Sequence, residues 1–164
     1  MSASIKRILL VLLCSVVLSS TASAQQSTAF SQGNRPMLGP QAGIATNHLD
    51  LFVGAQFSYP IANQFDIYPS FDIFFPGNGV TVWGINAEGR YWPKLNMPNS
   101  GLYVGGGINI THTSVSGFSS TDAGLGLLGG WDFKAVSWRP FAQLHIVVGN
   151  ADRIEFGGGV NFKL

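Results

Sequence analysis

From Leu38 to the end of the chain, apolar and polar residues alternate with a period of two, and no stretch carries a helical period. The alternation is clearest over residues 65–75, where Phe, Ile and Pro residues occupy every second position. Because successive side chains of a strand point to opposite faces, this period predicts β-strands throughout. Turn-forming residues divide the pattern into eight segments: 38–46, 50–60, 65–75, 80–92, 102–113, 122–133, 138–148 and 154–164.

The connections between these segments are rich in Gly, Pro, Asn and Ser, the residues that turns require. All of those at the outer end are short, and the longest of them is 114–121. An even number of antiparallel strands can close on itself and leave no unpaired edge. The pattern therefore predicts an all-β fold, an eight-stranded antiparallel up-and-down β-barrel.

The alternation alone leaves open which parity faces the interior. A soluble lipocalin-like barrel would turn the apolar parity inward, whereas a transmembrane barrel turns it towards lipid. Only 10% of the residues are charged, and the polar parity is dominated by glycine with few lysines. Small residues beside a few large polar ones suit the narrow lumen of an eight-stranded barrel. This composition favours a transmembrane barrel with a polar, largely plugged interior.

Aromatic residues cluster near the predicted strand ends, where transmembrane barrels carry their two interfacial girdles. With the amino terminus of the barrel in the periplasm, the periplasmic girdle comprises Tyr59, Phe65, Tyr91, Trp92, Phe133, Trp138 and Phe162. The opposite girdle comprises Phe52, Phe75 and Phe118. This clustering supports the orientation with the apolar parity outward.

The amino terminus predicts export. Lys6 and Arg7 precede an apolar run over 8–18, and small residues follow up to Ala24. A basic start, a short apolar run and a small-residue end describe a cleaved secretory signal. The apolar run is too short for a spanning helix, which needs roughly 20 residues. We therefore divide the chain into a signal peptide (1–24), a disordered lead-in (25–36) and an outer-membrane β-barrel (37–164).

Cysteine content and charge exclude two classes of protein. The single cysteine, Cys14, lies in the predicted signal, so a mature domain held together by disulfides is excluded. Beyond the signal, 7 Lys and Arg residues face 8 Asp and Glu residues. A chain with this balance does not attract nucleic acid, and we expect no nucleic-acid partner.

The polar parity places a set of charged residues in the predicted lumen. Buried charges persist only when they are paired and hydrogen-bonded, so we expect a salt-bridged network that plugs the barrel. A narrow polar path or a small-ligand pocket is the alternative. The network consists of Asp66, Asp72, Glu88, Arg90, Asp132, Arg139, His145, Glu155 and Lys163.

Catalytic and metal sites have weak signals in this sequence. His112, Thr113 and Ser114 match the His-x-Ser pair of the lipid A deacylases, but no Glu follows at a suitable distance. A nucleophile without its base and orienting acid is not activated. The histidines His48, His112 and His145 fall on separate segments, which does not indicate a metal site. We therefore expect no catalytic residue, no metal and no cofactor.

The last segment has an apolar face with Val160, Phe162 and Leu164 and an opposite face with Glu155 and Lys163. It resembles the closing strand of bacterial outer-membrane β-barrels, although that strand usually ends in an aromatic residue and this one ends in Leu164. With the signal, the strand count and the girdles, the chain resembles the small OmpA-like and OmpX-like barrels. The resemblance implies that Val160, Phe162 and Leu164 form a signal for the barrel-assembly machinery.

The same resemblance implies the outer membrane of a Gram-negative bacterium, with its lipids and lipopolysaccharide as partners. We expect a monomeric structural protein of the envelope without catalytic activity, and a narrow channel for small solutes as the alternative. A lipid A-modifying barrel enzyme and a soluble lipocalin-like periplasmic binding protein are lesser alternatives. The short outer connections do not favour adhesion, which usually employs long loops.

Overall fold

In a computed structural model, the described residues form eight strands, each antiparallel to its neighbours in chain order, and the eighth strand pairs with the first. This closed barrel confirms the predicted fold class. The strands are β1 (Met37–Ala45), β2 (Asp50–Ala62), β3 (Phe65–Phe75), β4 (Val80–Tyr91), β5 (Ser100–Val115), β6 (Phe118–Phe133), β7 (Trp138–Gly149) and β8 (Arg153–Lys163). The structure describes residues 35–46, 50–77, 79–95, 100–133 and 138–164. The predicted signal peptide and most of the predicted lead-in lie outside these ranges.

The seam between β1 and β8 closes the barrel. It runs from Ala45 opposite Glu155 to Met37 opposite Lys163. A further backbone hydrogen bond extends it beyond the strands, because Leu164 N–H donates to the carbonyl oxygen of Pro36 over 3.0 Å. We call the end of the barrel that holds this bond the terminal end, and the opposite end, which holds the β5–β6 turn, the hairpin end.

Pro69 interrupts the β2–β3 ladder without breaking β3. The β2–β3 ladder pairs Gln56 with Ser70 and resumes at Tyr59 with Ile67, and Pro69 lies in the interval. Proline has no N–H to donate, so the ladder weakens on that side. On its other side Pro69 still lies opposite Ala87 of β4.

The β5–β6 hairpin departs from the prediction. We expected a loop at 114–121, but both strands continue to a turn of two residues, Ser116 and Gly117, between the paired residues Val115 and Phe118. The φ angles of the two turn residues are 44° and 87°. Two positive φ angles are typical of the type I′ turn, which matches the twist of its flanking strands. The connection is therefore a tight hairpin, and β5 and β6 are the longest strands, with 16 residues each.

The two faces of the wall are inverted relative to a soluble protein. Along β3, the odd-numbered positions face outward and carry exposed apolar side chains such as Phe71, whereas Asp66 and Asp72 on the other parity are 1% exposed. The same alternation continues around the barrel, with Ile44, Leu51, Ile85, Ile108, Leu125, Leu144 and Phe156 exposed on the outside. No helix long and apolar enough to cross a membrane occurs in the described ranges.

Two aromatic residues assigned to the girdles lie inside the barrel instead. Trp92 is 1% exposed and belongs to a buried cluster with Tyr68, Tyr103 and Leu128. Phe52 is 2% exposed and packs with Phe74 at a ring distance of 5.5 Å. Phe52 lies on β2 and Trp92 directly follows β4, and in both strands the odd-numbered side chains face outward. The remaining girdle residues with exposed rings on the outer face are Tyr59, Phe65, Phe75, Phe133, Trp138 and Phe162. Phe118 is exposed at the hairpin tip, but it has the inward parity of β6.

Candidate functional site

The polar interior of the barrel is the candidate site, and its first part is a cluster around Arg90 near the terminal end. Arg90 Nε donates to Asp66 Oδ1 over 3.1 Å, and Nη2 donates to Oδ2 over 2.5 Å. The guanidinium carbon lies 3.8 Å from the centre of the Tyr68 ring, 4.8 Å from that of Tyr103 and 5.3 Å from that of Trp92. The bidentate ion pair and the aromatic faces together stabilise a cation that has been removed from water.

A second ion pair lies beside the first. Arg139 Nε is 3.4 Å from Asp132 Oδ1, and both residues are buried. Arg139 Nη1 also lies 3.8 Å from the sulfur of Met37 on β1. With Asp66 and Arg90, this part of the lumen contains two carboxylates and two guanidiniums, so its formal charges balance.

The second part lies towards the hairpin end and centres on His145 of β7. His145 Nε2 is 2.8 Å from Glu88 Oε1 of β4, and Nδ1 is 2.9 Å from Glu155 Oε2 of β8. Glu155 also accepts a short hydrogen bond from Arg153 Nε. Arg153 Nη1 donates to Thr111 Oγ1 over 2.7 Å. One imidazole therefore links strands on opposite sides of the lumen.

Asp72 of β3 is held by neutral groups in the same part of the lumen. Its Oδ1 accepts from Gln41 Nε2 over 2.5 Å, and its Oδ2 accepts from Asn86 Nδ2 over 3.1 Å. Asn109 Nδ2 donates to Asn86 Oδ1 over 2.6 Å, and Thr111 Oγ1 donates to Asn109 Oδ1 over 2.8 Å. A continuous chain of hydrogen bonds therefore runs from Asp72 to the Arg153–Glu155–His145 group.

Two glutamines join the two parts of the lumen. Gln143 Oε1 accepts from the hydroxyls of Tyr103 over 3.1 Å and of Tyr68 over 3.3 Å. Its Nε2 donates to Gln41 Oε1 over 3.3 Å, and Gln41 in turn donates to Asp72. Side chains thus connect the aromatic cluster with the His145 group across the middle of the barrel. They form a layer of polar contacts between the two parts of the lumen.

Glycines on the inner face make room for this network. An added Cβ at Gly126 would lie 2.7 Å from His145 Nε2 and would also meet the Glu88 carboxylate. An added Cβ at Gly130 would collide with the Tyr103 ring. The glycine-rich polar parity therefore reflects close packing within a narrow barrel rather than flexibility.

Eight of the nine residues predicted for the lumen network are buried inside the barrel. The exception is Lys163, which has inward parity but is exposed. It is the last residue of β8, where a long side chain reaches the water at the mouth. Including Lys163 in the network was therefore wrong. Arg153 is the cation that the network contains in place of Lys163. The sequence predicts Arg153 in the connection 149–153, because the apolar alternation of the last segment begins only at Ile154.

An open vestibule occupies the hairpin end of the lumen. Its volume is about 520 Å³, and its lining includes Phe74, Val82, Thr111 and Arg153. Arg153 is 8% exposed and lies over the Phe74 ring, 4.9 Å from its centre.

The His-x-Ser pair lies on the outer wall. His112 Nδ1 is 2.9 Å from Thr121 Oγ1, and the imidazole stacks on Trp83 with the ring centres 5.0 Å apart. Ser114 lies opposite Ser119 and Thr81 in the two flanking ladders. The imidazole is therefore oriented by a hydroxyl and an indole rather than by a carboxylate. Within the described ranges, which exclude His48, no group of three His, Cys, Asp or Glu side chains could hold a metal ion.

No protein-family model and no curated protein sequence matches the chain. Among solved structures, the N-terminal β-barrel domain of Pseudomonas aeruginosa OprF matches 81% of this chain and 100% of its own, with a TM-score of 0.66 at 15% identity. Neisserial surface protein A matches 79% of this chain and 96% of its own, with a TM-score of 0.60 at 16% identity.

Ail, the attachment invasion locus protein of Yersinia pestis, covers 79% of this chain and 97% of its own, with a TM-score of 0.55 at 12% identity. At such low identity the likeness concerns the fold, and activity does not follow from it. All three structures are eight-stranded barrels of the outer membrane. The chain therefore has the fold of the small eight-stranded outer-membrane β-barrels, the group that its strand pattern resembles.

Proposed function

We propose that this protein is a structural component of a bacterial outer membrane, a barrel with a plugged interior and no catalytic role. The observation that supports this is the inverted wall, with exposed apolar side chains outside and an ion-paired network inside. A closed barrel in lipid satisfies every backbone hydrogen bond in its wall, and this wall offers hydrocarbon-like side chains to the acyl chains. The closed barrel then contributes to the integrity of the envelope.

The proposal includes a route to the membrane. The signal at 1–24 directs export in a Gram-negative bacterium and is cleaved. Val160, Phe162 and Leu164 then present the closing strand to the barrel-assembly machinery. The folded protein is a monomer surrounded by phospholipid and lipopolysaccharide, with the terminal end in the periplasm and the hairpin end outside the cell.

A narrow channel for small solutes is the second candidate, and the vestibule favours it. Water and small solutes have access to about 520 Å³ of the lumen, down to the layer of Arg153 and Thr111. Below that layer, Gln41 donates to Asp72 and accepts from Gln143 across the lumen. A continuous path would require these hydrogen bonds to open together, so the plugged barrel is the better supported proposal.

The absence of catalysis is tested by lipid A mass spectrometry of cells with and without the gene. Identical acylation patterns are expected, because His112 is oriented by Thr121 and Trp83 and lacks a carboxylate contact among the described residues. A change in acylation that Ser114→Ala abolishes would overturn this part of the proposal.

Membrane insertion is tested by electrophoresis of isolated outer membranes, with and without boiling in detergent. A closed barrel with a hydrogen-bonded wall resists mild detergent and migrates as a compact species until it is heated. We expect a heat-dependent change in mobility in the outer-membrane fraction. A soluble periplasmic protein with one mobility under both conditions would contradict the proposal and favour the lipocalin-like alternative.

A further inference from the structure

The vestibule at the hairpin end has the size and lining of a small-molecule site. Its volume of about 520 Å³ lies within the range of about 300–1,000 Å³ that ligand sites occupy. Buried Thr111 and Arg153 form its floor, and Asp50, the first residue of β2, lies nearer the turns of the hairpin end. The apolar part of the lining consists of Ala45, Phe74, Pro76, Val80, Val82 and Ala151. An apolar cavity with a few polar groups is the usual form of such a site.

Formal charge is distributed unevenly between the two ends of the barrel. The terminal end has Asp66 and Asp132 as its described carboxylates. Its described cations are Arg35, Arg90, Lys94, Arg139 and Lys163. The terminal end therefore carries an excess of positive charge.

The hairpin end has the opposite excess. Inside the barrel, its described cations are Arg153 and, when it is protonated, His145. The described carboxylates of this end are Asp50, Asp72, Glu88, Asp122, Asp152 and Glu155. Six carboxylates thus face two internal cations at most, and the end stays acidic even if His112 on the outer wall is protonated. The vestibule therefore attracts cations and disfavours anions.

Asp50 is the carboxylate that a ligand in the vestibule can reach. It has the inward parity of β2, is half-buried and lines the cavity. Within the described ranges, its carboxylate has no hydrogen-bond or ion-pair partner. A deeper carboxylate such as Glu155 is already paired with His145 and Arg153. A cationic group that enters from the mouth therefore meets Asp50 first.

The lining does not suit an inorganic cation. Mg²⁺ and Ca²⁺ take about six or more oxygen ligands. The lining side chains that carry oxygen are Asp50, Thr111 and Thr113, and most of the remaining lining is apolar. Arg153 adds a positive charge at the floor, which Glu155 offsets. The cavity therefore suits an organic cation whose charge stays near Asp50 and whose apolar body fills the remaining space.

We propose that the vestibule binds a small organic ammonium ion, a primary amine with a compact apolar body. The ammonium group pairs with the Asp50 carboxylate, and the apolar body packs against Val80, Val82 and Phe74. Burial of the apolar body supplies affinity, and the acidic field selects the cation over a neutral or anionic molecule of the same shape.

The amine is held rather than passed, because the hydrogen-bonded layer below the floor stays closed. Binding itself does not depend on the direction in which the barrel is inserted. The site faces the outside of the cell in the membrane orientation proposed above, and this one point rests on the proposed function.

The test uses the mature protein in nanodiscs of zwitterionic phospholipid and three probes of similar shape: benzylammonium, benzyl alcohol and benzoate. The backbone amide signals of Val80, Val82 and Ala151 are followed by NMR during titration. We expect saturable shifts with benzylammonium, binding weaker by about fivefold or more for benzyl alcohol, and no saturable shift with benzoate. Empty nanodiscs measure the partitioning of each probe into lipid. Equal affinities for the three probes, or no saturable shift with benzylammonium, overturn the inference.

Two isosteric variants identify the carboxylate that binds the amine. Asp50→Asn keeps the shape of the side chain and removes its charge, so the affinity for benzylammonium falls by about fivefold or more, to that of benzyl alcohol. Asp122→Asn is the matched control, because it removes a carboxylate from the same end that does not line the vestibule. Its affinity stays within about twofold of that of the unaltered protein, since salt screens the more distant charge. Equal losses for the two variants mean that the general field alone attracts the amine, which overturns the site at Asp50.

A third variant, Val82→Trp, fills the vestibule with a larger side chain and abolishes the binding of benzylammonium. Unchanged binding by this variant places the amine elsewhere and overturns the inference. The heat-dependent shift in mobility shows for each variant whether the barrel has folded, and if Val82→Trp does not fold, Asp50→Asn and the probe series decide. An unaltered protein that shows the shift but does not bind contradicts this inference alone, whereas an unaltered protein without the shift contradicts the proposed function.

Discussion

At the scale of single residues, the lumen depends on positions that carry no side chain. Gly126 and Gly129 lie three residues apart on β6, Gly126 on the inner face of the wall and Gly129 on the outer face. A Cβ at Gly126 would lie 2.7 Å from His145 Nε2, whereas at Gly129 the nearest atom is the carbonyl oxygen of Tyr103 at 3.9 Å. We expect Gly126→Ala to lower the free energy of unfolding by about 1–3 kcal/mol through overpacking.

The measurement is urea unfolding of the refolded barrel in detergent, monitored by tryptophan fluorescence. Gly129→Ala is the matched control and is expected to change the free energy of unfolding by less than about 1 kcal/mol. Equal losses for the two variants would mean that the inner and outer faces are not packed as described.

The buried ion pairs support a second prediction at the residue scale. Arg90→Met removes the cation that faces Asp66 and leaves that carboxylate buried without it. Breaking one partner of such a pair costs about 3–5 kcal/mol. We expect a loss of that size in the free energy of unfolding in detergent.

Lys163→Met is the control, because it removes a cation of the same parity from the exposed end of β8. Surface substitutions of this kind change the free energy of unfolding by about 0.5 kcal/mol or less. If Lys163→Met were as costly as Arg90→Met, Lys163 would have to take part in the network after all.

At the scale of the strand, we expect the closing strand β8 to contribute separately to the stability of the folded barrel and to its recognition by the assembly machinery. Phe162 is 49% exposed on the outer face, at the end of the strand. A charge near the membrane interface costs a folded barrel only about 0–1 kcal/mol. Phe162→Asp is therefore expected to leave the refolded barrel stable in detergent and yet to deplete the protein from outer membranes, because the assembly machinery no longer recognises the strand.

Immunoblots of outer-membrane fractions measure this effect. Phe118→Asp introduces the same charge on the exposed hairpin tip and should leave the level of the protein normal. Normal levels of Phe162→Asp would contradict the role proposed for the closing strand.

The strands also show where the period-two pattern predicts the bounds of a strand and where it does not. The range 65–75 was predicted with the bounds observed for β3, because its apolar parity is unbroken. The region 114–121 was predicted as a loop because Ser and Thr occupy both parities there. A strand that leaves the lipid needs no apolar face, so the alternation disappears while the backbone pairing continues.

At the scale of the whole molecule, the network predicts a barrel closed to ions. Side chains of β1, β3 and β7 meet in the middle of the lumen through Gln41, Asp72 and Gln143. In planar bilayers we expect no steady conductance in simple salt solutions, whereas a wide porin in the same bilayers conducts. Steady, solute-dependent current steps would refute the plug and establish the narrow channel.

Alternation, glycine placement and the low charge content were sufficient for the all-β class, the number of strands and the inward position of eight charged residues. These properties are local, because parity along one strand depends only on neighbouring residues. Some of their partners lie on the neighbouring strand of a hairpin, as Glu155 does for His145, but others are distant. His145 meets Glu88 of β4 only because closure of the barrel places β7 across the lumen from β4. Closure also brings Arg153 into the lumen and leaves Lys163 at the rim. A period of two cannot encode these relations, since each strand satisfies it in any register that shifts by an even number of residues.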